Sequence, residues 1–427
     1  MGKRLILTLA LALVAGLIFS PAYAEVQNVK ISGDINVIGV ARDHFNLGYG
    51  SSTNTTKTNN FFATQTRVRI DADLTDNVSA TVRLINERNW TTSSTDSGTS
   101  IDLDLAYVTI KEFLYSPLTL TVGRQELRFG NALVIGNINT YDHLNGLPAD
   151  LTLRKAFDAI RATLNYDPLV IDAFYAKISN DDTYASDDAD LYGVNVSYDV
   201  TNNINIQPYL FVKTDKSSQS DSSSVVDSEK DSVYTLGGLL TVTPIENLKA
   251  SLEGAYQFGH NRSDAAGTRD NGGFAIQALA DYTFADVKYT PAVGVGYTYL
   301  SGNGKKKGWD SMYYDQILNN ITYAIFPFTN LSVYNVRASA KPFESVTLSA
   351  NYGYYRLNKP ETSFGFDNYT IDANKKDLGN ALDLTATYDY TEDVCFGLTY
   401  GLFAKGSAFS DSGDNATQVI GSMTVTF

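Results

Sequence analysis

The chain ends in TQVIGSMTVTF, residues 417–427, and this stretch decides the fold. Apolar and polar side chains alternate along it, which is the period of a β-strand with one apolar and one polar face. A last strand that stops on an aromatic residue, here Phe427, is typical of outer-membrane β-barrels, because its apolar face meets lipid and its aromatic lies at the membrane interface. The alternative, a terminal strand of a soluble β-sandwich, must be decided by the rest of the chain.

The beginning of the chain has the features of a secretory signal peptide. Lys3 and Arg4 form a basic start, residues 5–19 are apolar, and Ala22-Tyr23-Ala24 is a small-x-small cleavage site. We therefore expect residues 1–24 to be removed and residues 25–427 to form the mature protein. The apolar run is too short for a membrane-spanning helix followed at once by such a site.

Composition limits what the exported chain can be. The formal net charge of −14 argues against nucleic-acid binding and favours a solvated exterior. Cys395 is the only cysteine, so the chain has no intrachain disulfide. The 28 Tyr and 21 Phe against 2 Trp and 3 Met fit strands and aromatic belts better than helices. After the signal peptide no run of 18 apolar residues occurs, which excludes a helical membrane protein but not a barrel.

Alternating segments continue along the chain, and short turns strictly alternate with long polar loops. We identify eight short turns, at Thr75–Asn77, Ser116–Pro117, Asp167–Pro168, Thr201–Asn203, Pro244–Asn247, Phe284–Asp286, Pro342–Ser345 and Thr391–Asp393. Nine long loops lie between them, at 43–60, 90–100, 130–155, 179–188, 215–231, 260–272, 301–330, 358–377 and 405–415. This arrangement predicts an all-β fold, a transmembrane antiparallel up-and-down barrel of about 18 strands. A sandwich or propeller has no reason to keep the alternation.

The parity of each predicted strand divides its residues between lipid and lumen. We expect these apolar positions to face lipid: Val194, Val196, Tyr198, Leu236, Leu240, Val242, Leu252, Tyr256, Leu384, Ala386, Tyr388, Phe396, Leu398 and Tyr400. The opposite positions face the lumen. At about eighteen strands the lumen is too wide for side chains to fill, so the fold predicts a water-filled channel.

Arginines cluster on the inward parity of the second and third strands. Arg67, Arg69 and Asp71 share that parity in the second strand, and Arg83 and Glu87 share it in the third. Arg69 and Arg83 each lie seven residues from the turn at Asp76, which predicts that they are direct neighbours. Since like charges in direct opposition are unfavourable, the cluster points to a functional surface.

Other charged residues are predicted to face the lumen at a similar height. Arg161 and Arg337 extend the arginine girdle, and Glu253 and Asp383 give it an acidic sector on the far side. These charges could simply pair across the wet wall, which is a common structural role. Alternatively, the planar guanidinium holds carboxylates through two hydrogen bonds. We therefore predict an anion- or carboxylate-preferring constriction.

One stretch complicates the parity. Strict alternation would point Arg124 and Glu126 at lipid together with Val122, at a cost of about 2–4 kcal/mol for an arginine near the membrane midplane. A bulge at Gly123 would turn them inward, and on this basis we include Arg124 among the predicted pore-lining residues.

Several segments resemble the alginate-export family of outer-membrane porins. They are TQTRVRIDADLTDNVSATVRLINERNW (64–90), AYVTIKE (106–112), TVGRQELRFGNALVIG (121–136), KAFDAIRATLNY (155–166) and LDLTATYDYTEDVCFGLTYGLFAKG (382–406). The resemblance implies an eighteen-stranded barrel whose arginine-bearing lumen passes an anionic uronate polysaccharide. It would place Arg67, Arg69, Arg83, Arg124 and Arg161 on that path.

No catalytic or cofactor site is predicted. His44, His143 and His260 all lie in predicted loops, which does not suit a hydrolase site. The segment 302–308 lacks P-loop spacing. We therefore expect a channel without cofactor, not an enzyme, in the outer membrane of a Gram-negative bacterium, which passes hydrophilic, anionic solutes by diffusion.

Expected partners follow from this location. They are the outer-membrane lipid and lipopolysaccharide, the barrel-assembly machinery acting through the strand that ends at Phe427, and a hydrophilic or anionic solute, with a uronate polysaccharide as the candidate. We expect no nucleic acid. The alternative function is a plugged receptor or adhesion barrel whose loops bind an external partner, because the loops 130–155 and 301–330 are long enough to fold inward.

Overall fold

The structure is a computed structural model that describes residues 28–45, 47, 58–90, 100–138, 147–180, 188–215, 231–261, 269–303, 308–366, 369–409 and 414–427. The predicted signal peptide, residues 1–24, and His143 lie outside the described residues.

The described chain is composed mainly of β-strands, as the alternating sequence predicts. The strands are β1 (Asn28–Asp43), β2 (Thr58–Thr75), β3 (Val78–Asn89), β4 (Asp102–Ile110), β5 (Leu118–Glu126), β6 (Ala156–Asn165), β7 (Leu169–Asn180), β8 (Asp188–Thr201), β9 (Ile204–Asp215), β10 (Asp231–Ile245), β11 (Leu248–Asn261), β12 (Arg269–Asn271), β13 (Phe274–Thr283), β14 (Ala292–Leu300), β15 (Leu331–Phe343), β16 (Val346–Leu357), β17 (Ser363–Phe364), β18 (Tyr369–Thr370), β19 (Asp377–Asp389), β20 (Val394–Lys405) and β21 (Ala416–Thr426).

These strands build a closed antiparallel barrel of 18 strands. Each barrel strand pairs with the next barrel strand along the chain, β16 with β19 among them, and β1 pairs with β21 to close the sheet. The short strand β12 pairs with β11 just beyond β13, so β12 and β13 together occupy one position in the barrel. The strands β17 and β18 form a separate small hairpin. The predicted architecture is confirmed.

The last strand closes the barrel as the terminal sequence suggested. Asp34 of β1 lies opposite Thr426, and the backbone of Gly33 exchanges two hydrogen bonds with Phe427, of 2.8 and 3.0 Å. The ring of Phe427 lies over Gly33, where a Cβ atom would approach it to 2.7 Å. A glycine therefore makes room for the terminal aromatic at the seam.

Parity along the strands separates two surfaces. The apolar side chains predicted to face lipid are exposed on the outside of the isolated barrel, among them Val194, Leu236, Leu252, Leu384 and Leu398. Polar and small residues alternate with them on the inside. The predicted short turns all lie at one end of the barrel, and the strand ends that flank the predicted long loops lie at the other. We call these the short-turn end and the long-loop end.

Helical structure is minor. The described residues contain one short helix, α1 (Asn320–Tyr323), and a 3-10 turn at Ala149–Leu151. Nowhere in the described part of the chain is a helix both long and apolar enough to cross a membrane.

Candidate functional site: the barrel lumen

The arginines predicted to face the lumen do so. In β2, Arg67 and Arg69 have the parity opposite to that of Ile70, which is exposed on the outside, so both arginines point inward. Arg69 lies directly opposite Arg83, as the spacing from the turn predicted. The two guanidinium groups do not share a partner. Arg69 binds Asp71 through Nε and Nη2, at 2.7 and 2.9 Å. Arg83 binds Asp104 through Nε, at 2.5 Å. Because each arginine turns toward a different carboxylate, the repulsion between the two positive charges is reduced.

A second pair on the same wall has its carboxylate set behind its arginine. Arg161 of β6 binds Asp172 of β7 at 2.8 Å, and Asp172 also accepts a hydrogen bond from Thr163. The side chain of Asp172 is 7% exposed, whereas that of Arg161 is 31% exposed and lies over the ring of Phe129. The cation therefore fronts the lumen and the anion lies against the wall.

The pair of Arg67 and Asp34 has the same order, since the side chain of Arg67 is more exposed than that of Asp34, to which it is bound at 2.9 Å. Arg83 differs, because it is nearly buried between the enclosed Asp104 and the more exposed Glu126. The pairs of Arg67 and Arg161 therefore keep a positive face toward water although each arginine is neutralised.

Arg337 reaches its partner across an intervening strand. It binds Asp281 of β13 at 2.8 Å, although β14 lies between the two strands. Gly294 of β14 makes this possible, because a Cβ atom there would lie 2.1 Å from Oδ1 of Asp281 and 3.0 Å from Nε of Arg337. Here the carboxylate is the more exposed partner.

Two long loops fold into the barrel and form its core. We call residues 127–138 inner loop A and residues 308–330 inner loop B. Their backbones bond to one another, for example Tyr313 N–H to the carbonyl of Val134 at 3.0 Å and Asp315 N–H to that of Ala132 at 3.0 Å. Leu127, Leu133, Ile135, Ile321 and Ile325 are fully buried between the loops and the wall.

The core of the inner loops also encloses polar side chains. Burial, together with the carboxylates of Asp310 and Asp215, raises the pKa of the Tyr313 phenol, which therefore stays neutral.

Glu253 anchors inner loop A to the wall. Its carboxylate accepts hydrogen bonds from the backbone N–H of Asn131 and from the hydroxyl of Tyr209, both at 2.9 Å. Gly130, at φ 57°, lets the loop approach, because a Cβ atom there would lie 2.5 Å from Oε1 of Glu253. Glu253 is 0% exposed.

Asp383 anchors inner loop B in the same way. It accepts hydrogen bonds from the side chain of Asn319 at 3.0 Å and from the backbone N–H of Asn320 at 2.7 Å, at the start of α1. Asp383 is 3% exposed. The predicted acidic sector is therefore inward, but the two carboxylates are covered and cannot contact a solute.

Glu87 is covered by a third segment. The stretch 147–155 lies against β1, β2 and β3, where Glu87 accepts hydrogen bonds from the Leu153 N–H and the Thr152 hydroxyl and pairs with Arg154. Asp150 of the same stretch pairs with Arg42. Glu87 thus fixes a loop and does not line an open path.

The prediction for Arg124 is wrong. The pairing of β5 with β4 and β6 runs without a register shift through Gly123, although its φ is 123°. Arg124 therefore keeps the outward parity of Val122 and binds Asp158 at 3.0 Å on the outer face. Glu126 contacts Arg83 at 2.5 Å beyond the last β4–β5 pair.

Sequence reasoning missed two lumen cations. Arg128 and Lys155 both bind the carboxylate of Asp315, at 2.5 and 2.8 Å, so two cations share one anion on the face of the inner loops. Arg128 is half exposed. It lies three residues after the GRQ stretch (123–125), but alternation could not place it because it lies beyond the end of β5.

His44 and His260, expected in loops, lie at the long-loop end. His44 contacts Asp43 and Asp414, and His260 contacts Asp270. Within the described part of the chain, no group of three His, Cys, Asp or Glu side chains could hold a metal ion.

Comparisons with known proteins agree with this geometry. The family model described as "Alginate export" matches residues 30–422. Solved structures of similar fold include Pseudomonas aeruginosa OccK11 (OpdR), with TM-score 0.58, 13% identity and coverage of 94% of this chain and 96% of that one. Pseudomonas aeruginosa OccK8 (OprE) gives TM-score 0.59 and 12% identity, covering 94% and 99%. Acinetobacter baumannii OccAB4 gives 0.58 and 11%, covering 95% and 99%. No curated protein has a matching sequence.

Proposed function

Because the chain belongs to the alginate export family, we propose that it passes hydrophilic, carboxylate-bearing solutes by diffusion along the arginine-bearing wall of its lumen. Family membership makes the protein an outer-membrane porin of a Gram-negative bacterium and not an enzyme. The solute preference and the path are the proposal. The proposed path includes Arg67, Arg69, Asp71, Arg83, Arg161 and Arg337.

The exposure of Arg161 relative to Asp172 carries the proposal. A carboxylate behind the guanidinium orients it and lowers its net charge, and the remaining N–H groups still face water. A passing carboxylate can accept hydrogen bonds from them without being held tightly, since the pair is already neutral and the lumen is wet. Weak, repeated binding of this kind suits diffusion of anionic solutes, including oligouronates.

The test is the reversal potential of the refolded mature chain in a planar bilayer under a KCl gradient. We expect anion preference in the wild type. Replacing Arg69, Arg83 and Arg161 by Ser should abolish it, since each charge contributes about 1 kcal/mol at contact distance in water. An unchanged reversal potential in this variant would overturn the arginine path.

Solute class is tested by block of the open channel. An oligouronate on one side should reduce the current of the wild type, and a neutral oligosaccharide of equal length serves as the control. Equal block by both would mean that size alone limits passage.

A second candidate function, a plugged receptor or adhesion barrel, is favoured by the inner loops, which fill part of the lumen. A permanently plugged barrel should conduct almost no current, whereas the proposed channel conducts in the absence of any partner.

A further inference from the structure

Four charged side chains form one row across the outside of the barrel. The pairing places Arg124 opposite Asp158, Asp158 opposite Lys177, and Lys177 opposite Asp190. All four lie within a few residues of the long-loop ends of β5, β6, β7 and β8. We call these residues the outer charged row. Charges are alternately positive and negative along it.

The next outward row toward the short-turn end is apolar and aromatic. It consists of Val122, Ile160, Tyr175 and Tyr192, which are paired in the same order and are all exposed on the isolated barrel. The rings of Tyr175 and Tyr192 lie 5.2 Å apart. Tyrosines on the outside of a barrel mark the membrane interface.

The apolar and aromatic row fixes the depth of the outer charged row in the membrane. Two residues along a strand span about 7 Å, so the charges lie just above the aromatic belt, in the headgroup layer. Long loops of outer-membrane barrels face the cell exterior, so this is the outer leaflet. Charges on a lipid-facing surface are tolerated at this depth and not near the midplane.

The contacts within the row leave hydrogen-bond donors directed outward. Asp190 is enclosed, since it accepts from Lys177 at 3.2 Å and from the Tyr175 hydroxyl at 3.0 Å. Arg124 donates to Asp158 through Nη1, and its side chain is 25% exposed, so part of the guanidinium group faces the outside. The side chain of Lys177 is 34% exposed.

We propose that the outer charged row binds the phosphorylated sugar headgroup of the outer-leaflet glycolipid, lipid A. Arg124 and Lys177 donate to a phosphate, which is the anion best matched to a guanidinium and an ammonium group. Asp158, between them and largely exposed, accepts hydrogen bonds from sugar hydroxyls. A bare phosphate lacks those hydroxyls, so Asp158 favours a phosphate that is carried on a sugar.

Binding is measured by native mass spectrometry of the refolded mature barrel in detergent, titrated with diphosphoryl lipid A. Replacing Arg124 and Lys177 together by Ser should weaken binding by at least about tenfold, because two charge-assisted contacts are lost. The matched control is Arg88→Ser, an outward, exposed cation near the long-loop end of β3 that lies outside the row, opposite Thr64. It should leave the affinity unchanged.

Three further results decide the proposal. The variant with Arg124→Lys and Lys177→Arg keeps both charges and should retain most of the affinity. Phosphatidylglycerol and inorganic phosphate should each bind or compete much more weakly than lipid A. Equal binding of phosphatidylglycerol would make the row a general anion site and overturn the glycolipid assignment. Undiminished lipid A binding by the double Ser variant, with its folding checked by heat-modifiable gel mobility, would overturn the site itself.

Discussion

Two sides of the lumen carry the same kinds of charged residue and use them differently. On the side formed by β10 to β20, Glu253 and Asp383 accept hydrogen bonds from the inner loops and are covered by them. On the side formed by β1 to β7, Arg67, Arg69 and Arg161 stay partly exposed, and each is at least as exposed as its carboxylate. Inward parity alone therefore does not make a residue part of a path; what covers it decides.

The largest expected effect comes from detaching the inner loops from Glu253 and Asp383, the two carboxylates that they cover. Replacing Glu253 and Asp383 together by Ala leaves the Asn131 and Asn320 N–H groups without acceptors, at about 1–3 kcal/mol each. The inner loops should detach and the single-channel conductance should rise, with a lower unfolding temperature. Glu253→Gln, which keeps a carbonyl acceptor, is the control and should change conductance little. Unchanged conductance in the double Ala variant would mean that apolar packing alone holds the loops.

Gly294 tests the reach of Arg337 across a strand. Gly294→Ala puts a methyl group where Asp281 and Arg337 meet, and such overpacking costs about 1–3 kcal/mol. We expect a lower unfolding temperature, measured by the loss of heat-modifiable mobility. Gly421→Ala is the matched control, because a Cβ atom there has nothing within 4 Å. Equal stability of the two variants would contradict the close contact.

Removing a recessed carboxylate should act opposite to removing an arginine. Asp172→Asn leaves Arg161 unneutralised and should raise the ratio of anion to cation permeability by about fivefold, corresponding to about 1 kcal/mol. Asp383→Asn removes a carboxylate from the covered side and should leave the reversal potential unchanged. If both variants shift it equally, the division of the lumen into two sides is wrong.

The smallest effect concerns the ring beneath Arg161. Phe129→Leu removes a cation–π contact in which the guanidinium carbon lies 5.5 Å from the ring centroid, worth about 0.5–1 kcal/mol. We expect a modest loss of anion preference, smaller than that of Arg161→Ser, in the same bilayer measurement. A loss as large as that of Arg161→Ser would show that Phe129 holds inner loop A and acts on more than one arginine.

Period-two alternation predicted much of the molecule. It predicted the barrel, its closure at Phe427, the lipid-facing positions and the pairing of Arg69 opposite Arg83. Each of these features depends on residues that are neighbours in one strand or in two strands joined by a tight turn. For Arg124, strict alternation was also right, and the error came from assuming a bulge at Gly123, which the pairing with β4 and β6 does not contain although φ of Gly123 is 123°.

The sequence by itself determined which residues face inward, since a strand in a membrane must turn its polar side chains away from lipid. Only the tertiary structure decided which of them meet water. The contacts of Glu253 with Asn131 and of Asp383 with Asn320 join residues far apart in sequence, through loops that have no periodic pattern. Their positions follow from packing inside the closed barrel, which exists only once all strands are paired.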